Sequence, residues 1–271
     1  MLIRFGYEIS VHCVADTPMI CLLDIRDERR ADLRGPDVSW TTPQVPVSLY
    51  HDMFENRCRR FVAPAGEFTL FAEGMVFDTG RPDPEDWSAR ETPVAALPPE
   101  TLGFLLGSRY CETDRLSQIA WDLFGGLAPG WGRVQAICDF VHSHIRFDYQ
   151  AARSTRTAFE GWHERVGVCR DYAHLAIALC RAVNLPARYV NGYLGDIGVP
   201  VTGPMDFSAW IEVFIGGRWH TFDPRNNRRR IGRIVVARGR DAADVPLIHS
   251  FGSHQLTRFE VLCEEVTAVA A

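Results

Sequence analysis

Gly167-Val168-Cys169-Arg170-Asp171-Tyr172-Ala173-His174 is the stretch on which the reading of this chain turns. A glycine and a β-branched residue precede a cysteine. After it Tyr172, Ala173, Ala176, Leu179, Cys180 and Val183 recur at helical spacing as far as Asn184, two residues before Pro186. The spacing predicts a long apolar helix that opens at Cys169. A helix N-terminus carries about half a positive charge and several unpaired N–H donors. Both stabilise a thiolate, and such a position lowers a cysteine pKa from about 8.5 toward neutrality. The same N–H groups can hold an oxyanion when sulfur attacks a carbonyl. A small apolar residue opening a buried helix has the same signature, so this placement alone makes Cys169 a candidate nucleophile and no more. Cys138 and Cys180 fall mid-helix on apolar faces and read as core.

Downstream, strands return. Residues 187–192 form one, and 209–215 and 218–223 form two more across the two-residue turn Gly216-Gly217, a strong hairpin signal. Residues 233–238 and 256–264 read as the last strands of this meander. Upstream, Leu116, Ile119, Ala120, Leu123 and Phe124 mark a helix with Thr113 or Asp114 placed as its N-cap and Gly125-Gly126 as its end. A second helix runs over about 132–145. Between 78 and 101 lie Pro82, Pro84, Pro93, Pro98 and Pro99, a density that defeats helix and central strand, so this segment reads as a linker crossing a surface. In the first twelve or so residues Ile3, Phe5, Tyr7, Ile9, Val11 and Cys13 share one parity, which predicts a half-buried strand. With further runs at 19–25, 45–50, 60–63 and 68–77, residues 1–80 read as a small β-sandwich-like domain. The expected division is a β domain over 1–80, a linker over 81–100 and an α+β domain over 101–271.

Composition narrows the chemistry. Of 271 residues 29 are basic and 34 acidic, a net charge of −5, which argues against a nucleic-acid partner. All 29 basic residues are arginine, and the absent lysine excludes a P-loop, a lysine Schiff base and a lysine general base. Eight cysteines without a Cys-x-x-Cys pair do not make a disulfide scaffold. His142 and His144 are two apart on a helix and face different ways, and no zinc signature is present, so no metal and no cofactor are expected. Without a leader-like start or an apolar run of about 18 residues, the expectation is a cytoplasmic protein with no membrane partner.

Residues 167–193, GVCRDYAHLAIALCRAVNLPARYVNGY, resemble the core motif of bacterial transglutaminase-like cysteine proteases. Residues 206–226, DFSAWIEVFIGGRWHTFDPRN, are similar to that family's second and third motifs. LLGSRYCETDRL (105–116) and ARGRDAADV (237–245) are similar to one bacterial branch, and residues 1–80 to its accompanying N-terminal domain. The resemblance implies a papain-like α+β core, helices packed on an antiparallel sheet, acting on a peptide or protein amide. It implies a cysteine, a histidine and an aspartate in that chain order: the cysteine attacks the amide carbonyl, the histidine activates it and protonates the leaving amine, and the aspartate orients the imidazole. Matched residue by residue, the cysteine is Cys169 and the aspartate is Asp223 in Thr-Phe-Asp-Pro. The histidine belongs directly before Ala209-Trp210, where this chain has Ser208.

Strand parity tests whether another histidine fills the gap. With a two-residue Gly216-Gly217 turn, Trp210 stands opposite Asp223 and position 208 shares their face, whereas His220 points the other way. His174 lies about 140° around the helix from Cys169. His163, His249 and His254 have no spacing that brings them near. Asp171 and Trp210 are candidates for substrate contact, against the readings of a carboxylate complementing the helix dipole and a core tryptophan. The run Arg228–Arg230 with Arg233 fits either a carboxylate-bearing ligand or a solvated loop. Two functions remain open: a cysteine-dependent amide hydrolase or acyltransferase working through a thioester on Cys169, weakened at Ser208, or a non-catalytic peptide-binding relative that keeps the cleft.

Overall fold

The computed structural model describes residues 1–36, 38–201 and 203–266. Alternation makes the first strand: β1 (Leu2–Cys13) buries Ile3, Phe5, Tyr7, Ile9, Val11 and Cys13, the parity read from the sequence. It is followed by β2 (Thr17–Cys21), one helical turn α1 (Asp27–Arg30), β3 (Val38–Thr42), β4 (Ser48–His51), β5 (Arg57–Ala63) and β6 (Gly66–Phe77). Strand β3 was not foreseen; it lies on the sheet edge, with Trp40 stacked on Phe71 at 5.1 Å.

The second part adds a turn α2 (Pro99–Leu102), helices α3 (Thr113–Phe124) and α4 (Trp131–His144), the two-residue strand β7 (Arg146–Phe147), α5 (Ala158–Glu164), the equally short β8 (Val166–Gly167) and the long α6 (Cys169–Ala182). Strands β9 (Ala187–Leu194), β10 (Phe207–Ile215), β11 (Arg218–Phe222) and β12 (Arg233–Gly239) follow, then β13 (Ile248–Ser250) and β14 (His254–Glu265). Helix α3 lacks the foreseen cap: Glu112 occupies the cap position and no side chain caps the helix. Helix α5 was missed because its seven residues show too little periodicity; Thr157 and Glu160 close a capping box at its start.

Three antiparallel four-stranded sheets result, ordered β14-β1-β6-β3, β13-β2-β5-β4 and β11-β10-β9-β12. This corrects the reading of residues 256–264 as part of the second-half meander, whereas residues 233–238 do join it as β12 beside β9. β14 pairs with β1 and β13 with β2, so both ends of the chain build the first two sheets. Alternation reports which face of a strand is buried and is silent about which partner supplies its ladder. Segment 78–98 has one short 3-10 turn and is stitched along its length. Glu91 accepts from the Gly130 N–H (3.0 Å) and from Arg133 (3.1 Å), and Ala89 O accepts from the Trp131 N–H (3.1 Å).

Helix α6 is buried on all sides from Asp171 to Ala182, packed against α3, α4, α5, β9 and β10. Rings from the first sheet reach its neighbours, Phe5 to Tyr193 at 5.3 Å and Tyr7 to Phe207 at 6.3 Å, so one apolar core runs through both halves. The mixed helical and antiparallel architecture is the α+β, papain-like one expected. Its effect is to hold the N-terminus of α6 against β10.

Candidate active site

Cys169 is the first residue of α6. Its position is set by β8, which pairs in parallel with β7, and by the first turn of the helix. Asp171 Oδ2 accepts from the Val168 N–H (2.9 Å), satisfying a donor at the helix start, and from Arg156 Nη1 (2.9 Å). Gly167 is demanded by this arrangement, because a Cβ there would stand 2.5 Å from Asp171 Oδ2. Asp171 is 2% exposed, and its Oδ2 is taken by these two contacts. It positions the turn that carries Cys169 and leaves almost no surface of its own to meet a ligand.

The cysteine opens onto a cavity of about 330 Å³ lined, among others, by Tyr149, Cys169, Asp206, Ser208, Arg225 and Asn226. Ser208 therefore shares a cavity with the sulfur. Trp210 does not: it has no exposed surface and lies under the Arg233 guanidinium, 4.8 Å from its ring. Its burial fits the core reading of this tryptophan.

The hairpin register runs Ile215↔Arg218 through Ile211↔Phe222, the register that a Gly216-Gly217 turn dictates. His220 is buried against Trp131 at 5.2 Å and accepts from Arg218 Nε (3.3 Å). His174 is buried between Tyr110 and Tyr189, its Nε2 accepting from the Ala242 N–H (3.1 Å), and burial holds it neutral. His142 donates to the carbonyls of Pro224 and Arg225, and His144 bonds the Trp162 carbonyl (2.7 Å). His163 packs on Phe159, and His249 and His254 lie on β13 and β14. Among the described residues no imidazole lines the Cys169 cavity.

Asp223 is buried, but its carboxylate is already engaged. Asn226 donates to it twice, from its backbone N–H to Oδ1 (2.8 Å) and from Nδ2 to Oδ2 (2.8 Å), and Arg233 Nη2 donates to Oδ2 (2.8 Å). Burial opposes the charge, but Arg233 and Asn226 outweigh it and hold the carboxyl below its usual range. Asp223 does not line the Cys169 cavity; it borders a second one on the α4 side. Arg233 in turn holds Asp83 of the 78–98 segment through Nε (2.9 and 3.1 Å). Arg230, 4% exposed, bonds Asp196 and the Gly195 carbonyl. The carboxylates that Arg230 and Arg233 bind thus belong to this chain.

The thiol itself departs from expectation. Burial pushes Cys169 up to about 11, with Asp206 and Asp223 adding to the rise and the Ala209 N–H and Arg225 opposing it. The helix-terminal field is present, but without an imidazolium to pair with the sulfur the low-dielectric surroundings favour the neutral thiol. Arg225, Asn226 and Asp206 were not foreseen as parts of the site. Asn226 and Arg225 directly follow the Asp-Pro motif, and their proximity in sequence was the one signal available.

Residues 118–224 match the family model of the transglutaminase-like superfamily. A crystal structure from Cytophaga hutchinsonii, described as a "putative cysteine protease", superposes with a TM-score of 0.85 at 29% identity, covering all of this chain and 92% of that one. Both matches support a bacterial transglutaminase-like family, the matched domain spanning residues 118–224. An uncharacterized protein of Mycobacterium leprae is 34% identical over 115 residues, 40% of each chain. The kyphoscoliosis peptidase of Mus musculus is 30% identical over 116 residues, 40% of this chain and 17% of that one. The match thus spans about 40% of the length of the first bacterial relatives and less of the mammalian one. Within the matched segment, Ser208 on β10 stands directly before Ala209-Trp210 and lines the cavity of Cys169. No helix of the described chain is long and apolar enough to cross a membrane.

Proposed function

We propose that this protein receives the amide of a peptide or protein in the Cys169 cavity and acts on it as a base-deficient cysteine-dependent amide hydrolase or acyltransferase. In such a reaction the Cys169 sulfur adds to the amide carbonyl, the amine leaves with a proton, and water or a second amine releases the acyl group from the thioester. The observation that carries the proposal is the cavity itself, where the sulfur is reachable and no described imidazole stands beside it. General acid–base help contributes about 10²–10⁴-fold, so turnover is slower by that order than in a site with a histidine at 208.

The test is hydrolysis of aryl esters and peptide amides by the wild type, Ser208→His and Cys169→Ala. Ser208→His is expected to gain about 10²–10⁴-fold, and Cys169→Ala to lose all turnover. Activity that survives Cys169→Ala, or a Ser208→His protein no faster than wild type, overturns the reading. The non-catalytic alternative has its own support in the neutral thiol; retained peptide binding with no turnover in either variant would establish it.

A further inference from the structure

Asp223 does not line the Cys169 cavity, yet it reaches it through one side chain. Asn226 Nδ2 donates to Asp223 Oδ2 (2.8 Å), and Asn226 Oδ1 accepts from Arg225 Nη1 (2.8 Å). Both Asn226 and Arg225 line the cavity with Cys169. Arg225 is held from another side by Phe147, whose ring centroid lies 4.2 Å from the guanidinium carbon. A carboxylate thus orients an amide, and the amide orients a guanidinium in the thiol's cavity. The arrangement resembles a carboxylate orienting an imidazole, except that it ends in a permanent cation with donors only. Such a group takes up no proton but favours negative charge nearby.

A second observation singles out this arginine. The cavity's other arginine, Arg230, is neutralised by Asp196 at 3.3 Å and also donates to Asn226 Oδ1 (3.1 Å). Arg225 has no carboxylate partner among the described residues; its one side-chain hydrogen bond is to Asn226. Its charge is therefore available to whatever becomes anionic in the cavity.

We propose that Arg225, held by Asp223 through Asn226, is the group that stabilises negative charge on the Cys169 sulfur, the thiol proton leaving to solvent and not to a neighbouring base. Asn226 and Asp223 are then positioning residues. The charged groups that line the cavity with the sulfur are Asp206, Arg225 and the paired Asp196 and Arg230; Asp206 and the more distant Asp223 oppose the thiolate, and Arg225 favours it. Tyr149 and Tyr189 also lie within its electrostatic reach. The inference rests on the reading of Cys169 as the reacting thiol.

The experiment is the pH dependence of Cys169 alkylation by iodoacetamide on the folded full chain, read by peptide mass spectrometry between about pH 6.5 and 9.5. Below the thiol pKa the rate follows the thiolate fraction. Arg225→Met is expected to slow Cys169 labelling on the order of tenfold at each pH. Arg225→Lys restores most of that rate, and Asn226→Ala, which keeps the charge but frees the guanidinium, falls between. A purely structural role would leave the profile unchanged once circular dichroism shows the variants folded. Identical profiles for wild type, Arg225→Met and Asn226→Ala overturn the proposal. Failure of the underlying reading looks different: Cys169 would label no faster than Cys138 and Cys180 in the wild type and in Ser208→His alike.

Discussion

Arg233 supplies the positive charge bonded to two carboxylates, and its removal has a calculable consequence. The guanidinium donates from Nη2 to Asp223 (2.8 Å) and from Nε to Asp83 (2.9 and 3.1 Å), and it covers the face of Trp210. Its side chain is 7% exposed and that of Asp223 2%. Breaking a buried pair by removing one partner costs about 3–5 kcal/mol, because an uncompensated charge stays behind. Arg233→Met keeps much of the stem over Trp210, so the loss reports the charge more than the packing. The expected fall in thermal midpoint at pH 7.5 is on the order of 10 °C. The pH dependence has a definite sign. In the wild type Asp223 has a folded pKa below its unfolded one, so its contribution is full above the unfolded value and is lost as pH falls through the folded value. In Arg233→Met burial is opposed by Asn226 alone, the folded pKa rises, and acidification from pH 7.5 toward 5 relieves the variant while it does not help the wild type. Differential scanning calorimetry of both proteins at the two pH values, with Arg233→Met/Asp223→Asn as the third sample, makes the comparison. A loss under about 1 kcal/mol, of the size of an exposed pair, or no recovery in the double variant, would refute the account of Asp223 as a carboxylate neutralised by Arg233.

Gly167→Ala places a Cβ 2.5 Å from Asp171 Oδ2 and is expected to cost about 1–3 kcal/mol by urea denaturation, with Cys169 labelling altered because the same turn carries the sulfur. Trp210→Ala removes a fully buried ring and should cost about 3–5 kcal/mol; a stable variant with weakened peptide binding would instead return Trp210 to the substrate surface. A chain ending at residue 253 lacks β14 and leaves β1 as an open edge, so size-exclusion chromatography is expected to show association absent from the full chain.

The linear order of residues determined a good deal about this protein. Period-two burial along β1, the apolar helix opening at Cys169 and the register of the Gly216-Gly217 hairpin are local consequences of side-chain spacing. They needed no knowledge of distant residues. The family resemblance followed from the same local stretches, and so did the serine at 208. Tertiary structure decided what spacing could not carry. Asp223 meets Asn226 three residues away but also Arg233 ten away and, through it, Asp83 from the proline-rich segment. Trp210 and Asp171 became core and helix-start residues because the elements packed around them left no surface. Burial acts on the Cys169 thiol for the same reason: the field of a helix terminus is a property of one element, whereas the burial that opposes it is summed over every element that closes around the sulfur. Strand β14 joined the first sheet because ladder partners are chosen by the whole fold, and alternation within a strand encodes only which of its faces turns inward.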